Sequence, residues 1–557
     1  MYIEVLAPRS TPKGTGDFYL IQDKWNDYMF ETQYQLYLAE KYTEDKEAKF
    51  IGTVKILKKG QTKSDTLQLK VGRLEPLSDE FCSLGQSLDY YQRLAELNSS
   101  LRNHLLDYLR DVIAYPHYIE EFHNEDGWKI SLMRDIKMDD DIFILGPFVI
   151  NQNYDTLPSL DLTFKFSTPQ IDYPIKFDFS SPTYGIMDET LPSRMSVVIG
   201  RNGSGKSTLL SKISRIAFAS AKDRNDSSLQ KVGQFQPTGL GFPKILNITY
   251  SAFDSFQVPG IYQDEKEQII KDLKHGQGRY IFCGIRDIVK ELEQAMPTLN
   301  FIVDESGRRK LAPEEILNDR QSHNTLLKSI DSLAKEFKDT YEIIKERGKI
   351  DLLNNAFEII GKEPSFIEFV NGFVEFDSDD DIYQYFMSKS TGHKFVLHSL
   401  INIIAHVEPR TLVLFDEPET HLHPPLLAVL MSAIRYVLNQ KDAFAIIATH
   451  SPVVLQETLK KHVYIVRRVG DESKIVSPTI QTYGENIGMI TSHVFRLSSE
   501  MTDFHFELDK VIKNLTTWKT VDYEKIMSEI EELFDNELSM QARAYIQSEL
   551  LTLSEVE

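Results

Sequence analysis

Gly200-Arg201-Asn202-Gly203-Ser204-Gly205-Lys206-Ser207-Thr208 decides how the rest of this chain is read. The run fits G-x-x-x-x-G-K-[ST], a loop whose backbone N–H groups close around phosphates. It follows an apolar strand pattern, Met195–Ile199, and opens a helix with Leu209, Leu210, Ile213, Ile216 and Ala217 on one face. The glycines allow the tight loop, and the helix N-terminus adds favourable partial charge for an anion. Lys206 is expected to neutralise the β- and γ-phosphates of ATP and Ser207 to ligate Mg²⁺.

Three further segments follow in an order that matters. Thr411-Leu-Val-Leu-Phe-Asp416-Glu417-Pro418 is an apolar strand ending in two acids. Asp416 is expected in the Mg²⁺ shell, and Glu417 as the group that polarises or orients the attacking water. Ile446-Ile447-Ala448-Thr449-His450 is the next strand, and its terminal His450 is placed to contact the γ-phosphate. Upstream of both, Ser388-Lys389-Ser390-Thr391-Gly392-His393-Lys394 starts a helix carrying Val396, Leu397, Leu400 and Ile404. Taken alone, Ser390 is an ordinary helix cap.

Together with Asp416-Glu-Pro-Glu-Thr-His-Leu-His-Pro424 and Thr449-His450-Ser451-Pro452, these motifs resemble the ABC-type ATPases of the OLD, Septu and RecF-like group. The form S-T-G-H-K, in place of the transporter L-S-G-G-Q, is characteristic of that group. The resemblance implies a homodimer or larger homo-oligomer with two ATP molecules between subunits. It also implies that Ser390, Thr391, Gly392 and His393 reach the γ-phosphate of the opposite subunit. Members are frequently bacterial antiviral defence proteins acting with a separate effector such as an HNH nuclease or a toxin. Two positions depart from the pattern: Asp254 is the candidate where a glutamine is usual, and Tyr184 is the aromatic available to the adenine.

The rest of the chain sets limits. Its 557 residues are 41% hydrophobic and 26% charged, ordinary globular composition with room for several domains. The net charge is -21, so a nucleic-acid partner needs a local basic face; Arg308-Arg309-Lys310 and Lys460-Lys461 are the densest. Two cysteines, Cys82 and Cys283, support neither a disulfide framework nor a cysteine zinc site. With no signal core and no long apolar run, the expectation is a cytoplasmic protein without a membrane. His421 and His423 read as an interface loop, with a separate metal site as the alternative.

The expected fold class is α/β: a P-loop ATPase head with a large helical insert, an N-terminal mixed α/β accessory region and a helical C-terminus. The expected divisions are an accessory region at 1–150, ATPase lobes at 151–254 and 386–480, the insert at 255–385, and an acidic helical segment at 481–557. Within the first, Thr53–Lys58 and Leu67–Val71 alternate as a hairpin about Lys59-Gly60, and Leu84–Leu94 has helical spacing. The residues after Pro452 lack the clustered acids of a Toprim nuclease, and the chain has no HNH pattern. The expected function is therefore an ATPase that senses a signal and controls a separate effector. The alternative is a RecF- or Rad50-like repair ATPase acting on DNA directly, although Rad50-like coiled coils are missing.

Overall fold

The computed structural model describes the chain apart from residues 24, 44, 64, 157–161, 181–191, 305–306, 321–323, 367–378, 471, 496–502, 517–522 and 555–557. Tyr184 lies outside the described residues. The chain divides into two compact units, Met1–Gly484 and Glu485–Glu557.

The larger unit begins with strands β1 (Ile3–Leu6), β2 (Phe18–Gln22), β3 (Gln33–Leu38), β4 (Lys49–Lys58), β5 (Gly72–Leu74) and β6 (Phe81–Gly85), in the order β5-β1-β2-β3-β4-β6. Helices α1 (Leu88–Ala95), α2 (Ser99–Tyr108), α3 (His117–Phe122) and α4 (Asp141–Asn151) complete the region. Their apolar faces form one core with the sheet, including Leu36, Val54, Leu84, Tyr90, Leu105 and Leu145.

The expected hairpin is not formed. The chain does turn at Lys59-Gly60, with Gly60 at φ +72°. However, β4 pairs with β6, Lys58 opposite Phe81, and not with Leu67–Val71. Alternation marks a half-buried strand but does not name its partner. The start of the stretch expected to be helical, Leu84 and Gly85, belongs instead to strand β6, and the helix starts at Leu88, capped by Ser87.

The chain then runs through β7 (Thr163–Ser167), β8 (Ile175–Asp178), β9 (Met195–Ile199), α5 (Lys206–Phe218), α6 (Ser227–Val232), β10 (Gln234–Gln236) and β11 (Ile245–Thr249). Next come α7 (Gln263–Lys274), β12 (Tyr280–Gly284), α8 (Ile288–Ala295), β13 (Phe301–Val303), β14 (Arg309–Leu311) and α9 (Pro313–Leu317). Thus 255–385 is not helical throughout: β12 is the edge strand of the main sheet, parallel to β11, and β13 pairs with β14. The charged helices around these short strands masked them in the sequence. Beyond them lie α10 (Ile330–Glu346), α11 (Ile350–Ile360) and α12 (Asp379–Met387).

Alternation resumes with α13 (Thr391–His406), β15 (Leu412–Asp416), α14 (Pro424–Lys441), β16 (Phe444–Thr449), α15 (Pro452–Gln456), β17 (Val463–Val469) and β18 (Glu472–Val476). The main sheet has the order β12-β11-β15-β16-β9-β17-β18, parallel except for the β17–β18 pair. Strands β9, β11, β15 and β16 are buried at every position, as parallel strands covered on both faces must be. That is why they read as unbroken apolar runs.

The smaller unit contains α16 (Ile487–Phe495), α17 (Asp503–Thr516), α18 (Tyr523–Leu533) and α19 (Met540–Ser554). Leu508, Ile512, Ile526, Ile530, Ile546 and Leu550 give the last three a core of their own. Among the described residues no helix is long and apolar enough to cross a membrane.

Candidate functional site

Four neighbouring strands, β11, β15, β16 and β9, end on one edge of the sheet, in register: Thr249 opposite Asp416, Asp416 opposite Ala448, and Thr449 opposite Ile199. The carboxyl ends of parallel strands are where open α/β sheets place ligands. Each of the four carries one of the motifs or the Ser251–Asp254 turn.

The loop after β9 is shaped by its glycines. Gly203 and Gly205 take φ +76° and +94°, and a side chain on Gly200 would meet the Val466 carbonyl oxygen at 2.5 Å. Arg201, Asn202, Gly203 and Gly205 are exposed, whereas Ser204 and Lys206 are buried. Lys206 Nζ donates to the carbonyls of Gly200 and Arg201, at 3.0 and 3.3 Å. Burial lowers its pKa, against the pull of Glu417, Asp416 and Glu419. Thr208 Oγ1 stands 3.5 Å from Ser255 Oγ, which ties the helix start to the turn after β11.

Ser207 Oγ donates to Asp416 Oδ1 at 3.1 Å. Asp416 is 1% exposed, and its Oδ2 has no hydrogen-bond partner. Burial, with Glu417 and Asp254 adding repulsion, pushes its pKa up to about 7. Asp254 shows the same pattern: Oδ1 accepts from Arg286 at 2.5 Å and from the Phe256 N–H at 2.8 Å, Oδ2 is buried without a partner, and burial raises its pKa to about 6. Glu291 holds Arg286 from the other side at 2.5 Å. The unsatisfied Asp416 carboxylate oxygen, with the Ser207 hydroxyl on its other oxygen, supplies hard oxygen donors of the kind a divalent cation takes.

Glu417 occupies left-handed backbone space at φ +50°, an unfavourable conformation for a non-glycine residue, and its N–H donates to the Ala448 carbonyl at 2.8 Å. The strand end is thereby locked to β16, which carries His450 two residues on. His450 Nδ1 lies 2.9 Å from Glu419 Oε1 and 3.8 Å from Glu417 Oε1. The carboxylates of Glu417 and Glu419 push the His450 pKa up to about 10, and His450 in turn holds Glu417 below the usual carboxylate range. Glu419 was not singled out by sequence; its one signal was its place in the D-E-P-E run.

The loop Ser390–His393 has its own contacts. Ser390 Oγ caps α13 and is 2.6 Å from His393 Nδ1, while His393 Nε2 is 3.1 Å from Ser365 Oγ. Gly392 packs beside the His421 carbonyl and Leu422, and Thr391 is exposed. His423 Nδ1 accepts from the Leu426 N–H at 3.4 Å as the cap of α14. The basic run 308–310 is largely consumed by pairing: Arg308 binds Asp264 at 2.7 Å, and Lys310 binds Asp226.

A relative aligns along nearly the whole chain. Protein ea59 of Escherichia phage lambda is 30% identical over 518 residues, covering 90% of each chain. The chain belongs to the ea59 family. Residues 195–456 of this ea59-family member match the model described as "AAA domain, putative AbiEii toxin, Type IV TA system", so the motif-bearing part is an AAA-family ATPase domain. An Smc head bound to the C-winged helix domain of ScpA is 16% identical, with a TM-score of 0.26 over 57% of this chain and 96% of that one. An Smc head with an extended coiled coil, bound to the C-terminal domain of ScpA derived from Pyrococcus furiosus, is 14% identical, with a TM-score of 0.23 over 57% and 95%.

Proposed function

We propose that this chain binds and hydrolyses ATP at the carboxyl edge of the main sheet, as the sensor or regulatory subunit of an antiviral defence complex controlling a separate effector. The observation that carries the ATPase reading is the convergence there of the glycine loop, Ser207 with Asp416, Glu417 and His450. The loop from Gly200 to Thr208 would wrap the phosphates, with Lys206 leaving the Gly200 and Arg201 carbonyls to pair with the β- and γ-phosphates. Ser207, Asp416 and Asp254 would hold Mg²⁺, which supplies charge neutralisation at the phosphates when bound. Glu417 would orient the water, and His450, cationic at neutral pH, would contact the terminal phosphate.

Ser390–His393 would serve the ATP held by the opposite subunit of a dimer, as the resemblance of the motif implies. Phe253, 86% exposed on the turn before Asp254, is an apolar group that such a subunit would cover. The defence role rests on the resemblance of the motifs. Arg308 and Lys310 are spent on Asp264 and Asp226, so a RecF-like alternative would meet DNA through the other basic cluster, Lys460-Lys461.

Lys206→Ala should abolish ATP binding in a calorimetric titration. Glu417→Gln should retain binding, lose turnover and accumulate an ATP-dependent dimer on size-exclusion chromatography. Normal hydrolysis by Glu417→Gln would overturn the catalytic assignment. A pull-down from the native host, with neighbouring genes intact, should recover an effector; recovery of the ATPase alone counts against the regulatory reading.

A further inference from the structure

His450 is held by a carboxylate outside the residues assigned to nucleotide, cation and water. One oxygen of Glu419, Oε1, accepts the His450 backbone N–H at 2.7 Å and stands 2.9 Å from ring Nδ1. The Glu419 side chain is 10% exposed against 45% for His450, so the anchor is buried and the ring is accessible. Glu419 is itself fixed by a tight turn, in which Thr420 N–H donates to the Glu417 carbonyl at 3.1 Å and Leu422 N–H to the Glu419 carbonyl at 3.0 Å.

The chemistry follows from donor and acceptor rules. An ionised carboxylate only accepts, so the close contact places a proton on Nδ1. One carboxylate oxygen bonded to both the main chain and the ring of the same residue fixes the ring's rotamer, leaving Nε2 free for another partner. Glu417 Oε1, 3.8 Å from Nδ1, is the next acceptor in line. If Glu419 were absent, the ring would turn to Glu417 and occupy the oxygen needed for water.

We infer that Glu419 is a positioning residue for hydrolysis: it holds His450 through Nδ1–H and keeps the imidazole off Glu417. The inference rests on the ATPase reading of the site. Glu419→Ala should lower kcat roughly tenfold or more, a part of what a positioned acid–base group contributes, with KM for ATP nearly unchanged because the glycine loop is untouched. Glu419→Gln, which keeps a neutral acceptor in the same place, should recover much of the rate.

The second readout is independent of turnover. In ¹⁵N-histidine spectra, with His450 assigned by its loss in His450→Gln, the wild type should show a protonated, hydrogen-bonded Nδ1. That signature should be unchanged in Glu419→Gln and shift in Glu419→Ala, where the ring takes Glu417 as its acceptor. An unchanged kcat in Glu419→Ala, or an unchanged His450 spectrum in that variant, overturns the inference. If the wild-type chain hydrolyses no ATP, the ATPase reading fails, while the ring spectrum still decides whether Glu419 holds His450.

Discussion

Gly200 and Gly203 belong to the same loop but are constrained by different physics. A Cβ on Gly200 would meet the Val466 carbonyl at 2.5 Å and Ser204 Oγ at 2.7 Å, so the loop must move to admit it. A Cβ on Gly203 meets nothing within 4 Å and only imposes φ +76° on a residue with a side chain, a cost of about 1–2 kcal/mol. Gly200→Ala should therefore weaken ATP binding much more than Gly203→Ala, read by titration with a fluorescent ATP analogue. Equal losses would mean that the close approach to β17 is unimportant. At this scale the sequence was most legible, because a phosphate loop is contiguous and each residue type has a local reason. Glu419 was less legible: its partner His450 is 31 residues away, and nothing in the spacing joins them.

Helix α13, which begins at the Ser390 loop, is joined to strands β11 and β12 by a buried cluster. His398 Nδ1 lies 2.6 Å from the Tyr250 hydroxyl and 3.3 Å from Cys283 Sγ, and Nε2 faces Glu336 Oε1 at 3.6 Å. Burial lowers the His398 pKa to about 4, against the pull of Glu336 and with Lys328 opposing charge. The folded value lies below the unfolded one, so this stability is present above about pH 6.5 and is lost as pH falls towards 4. The loss amounts to about 3 kcal/mol. Urea unfolding between pH 4 and 7 should show the decline, and His398→Gln should flatten it; an equally steep decline in that variant would remove His398 as its source. Elements were legible where their pattern is continuous, as in β9, β15 and β16. Strand β6 was missed because five residues beside a helix carry too little pattern, and β12 because its pairing partner, β11, lies across helix α7.

The N-terminal region and the ATPase sheet share a buried seam that grips the far end of the P-loop helix. Arg279 donates to the carbonyls of Ala217 and Phe218 at the C-terminus of α5, and pairs with Asp89 of α1 at 2.8 Å. Arg93 of α1 pairs with Asp272 of α7 at 3.2 Å. A guanidinium at a helix C-terminus complements its dipole, and a buried pair left half-broken costs about 3–5 kcal/mol. Arg279→Ala should destabilise the protein by that order in urea unfolding, and adding Asp89→Ala should restore part of the loss. Additive losses would show that the two residues act separately.

By itself the sequence determined the phosphate loop, the acidic strand end, the polar strand end and the α/β alternation around them. Those features depend on neighbours along the chain. Only the tertiary structure decided that β12 joins the main sheet, that the basic run at 308–310 is spent on Asp264 and Asp226, and that Glu419 holds His450. Each of these joins residues separated by intervening elements, and a pairing made across space leaves its two halves looking ordinary where each stands in the chain.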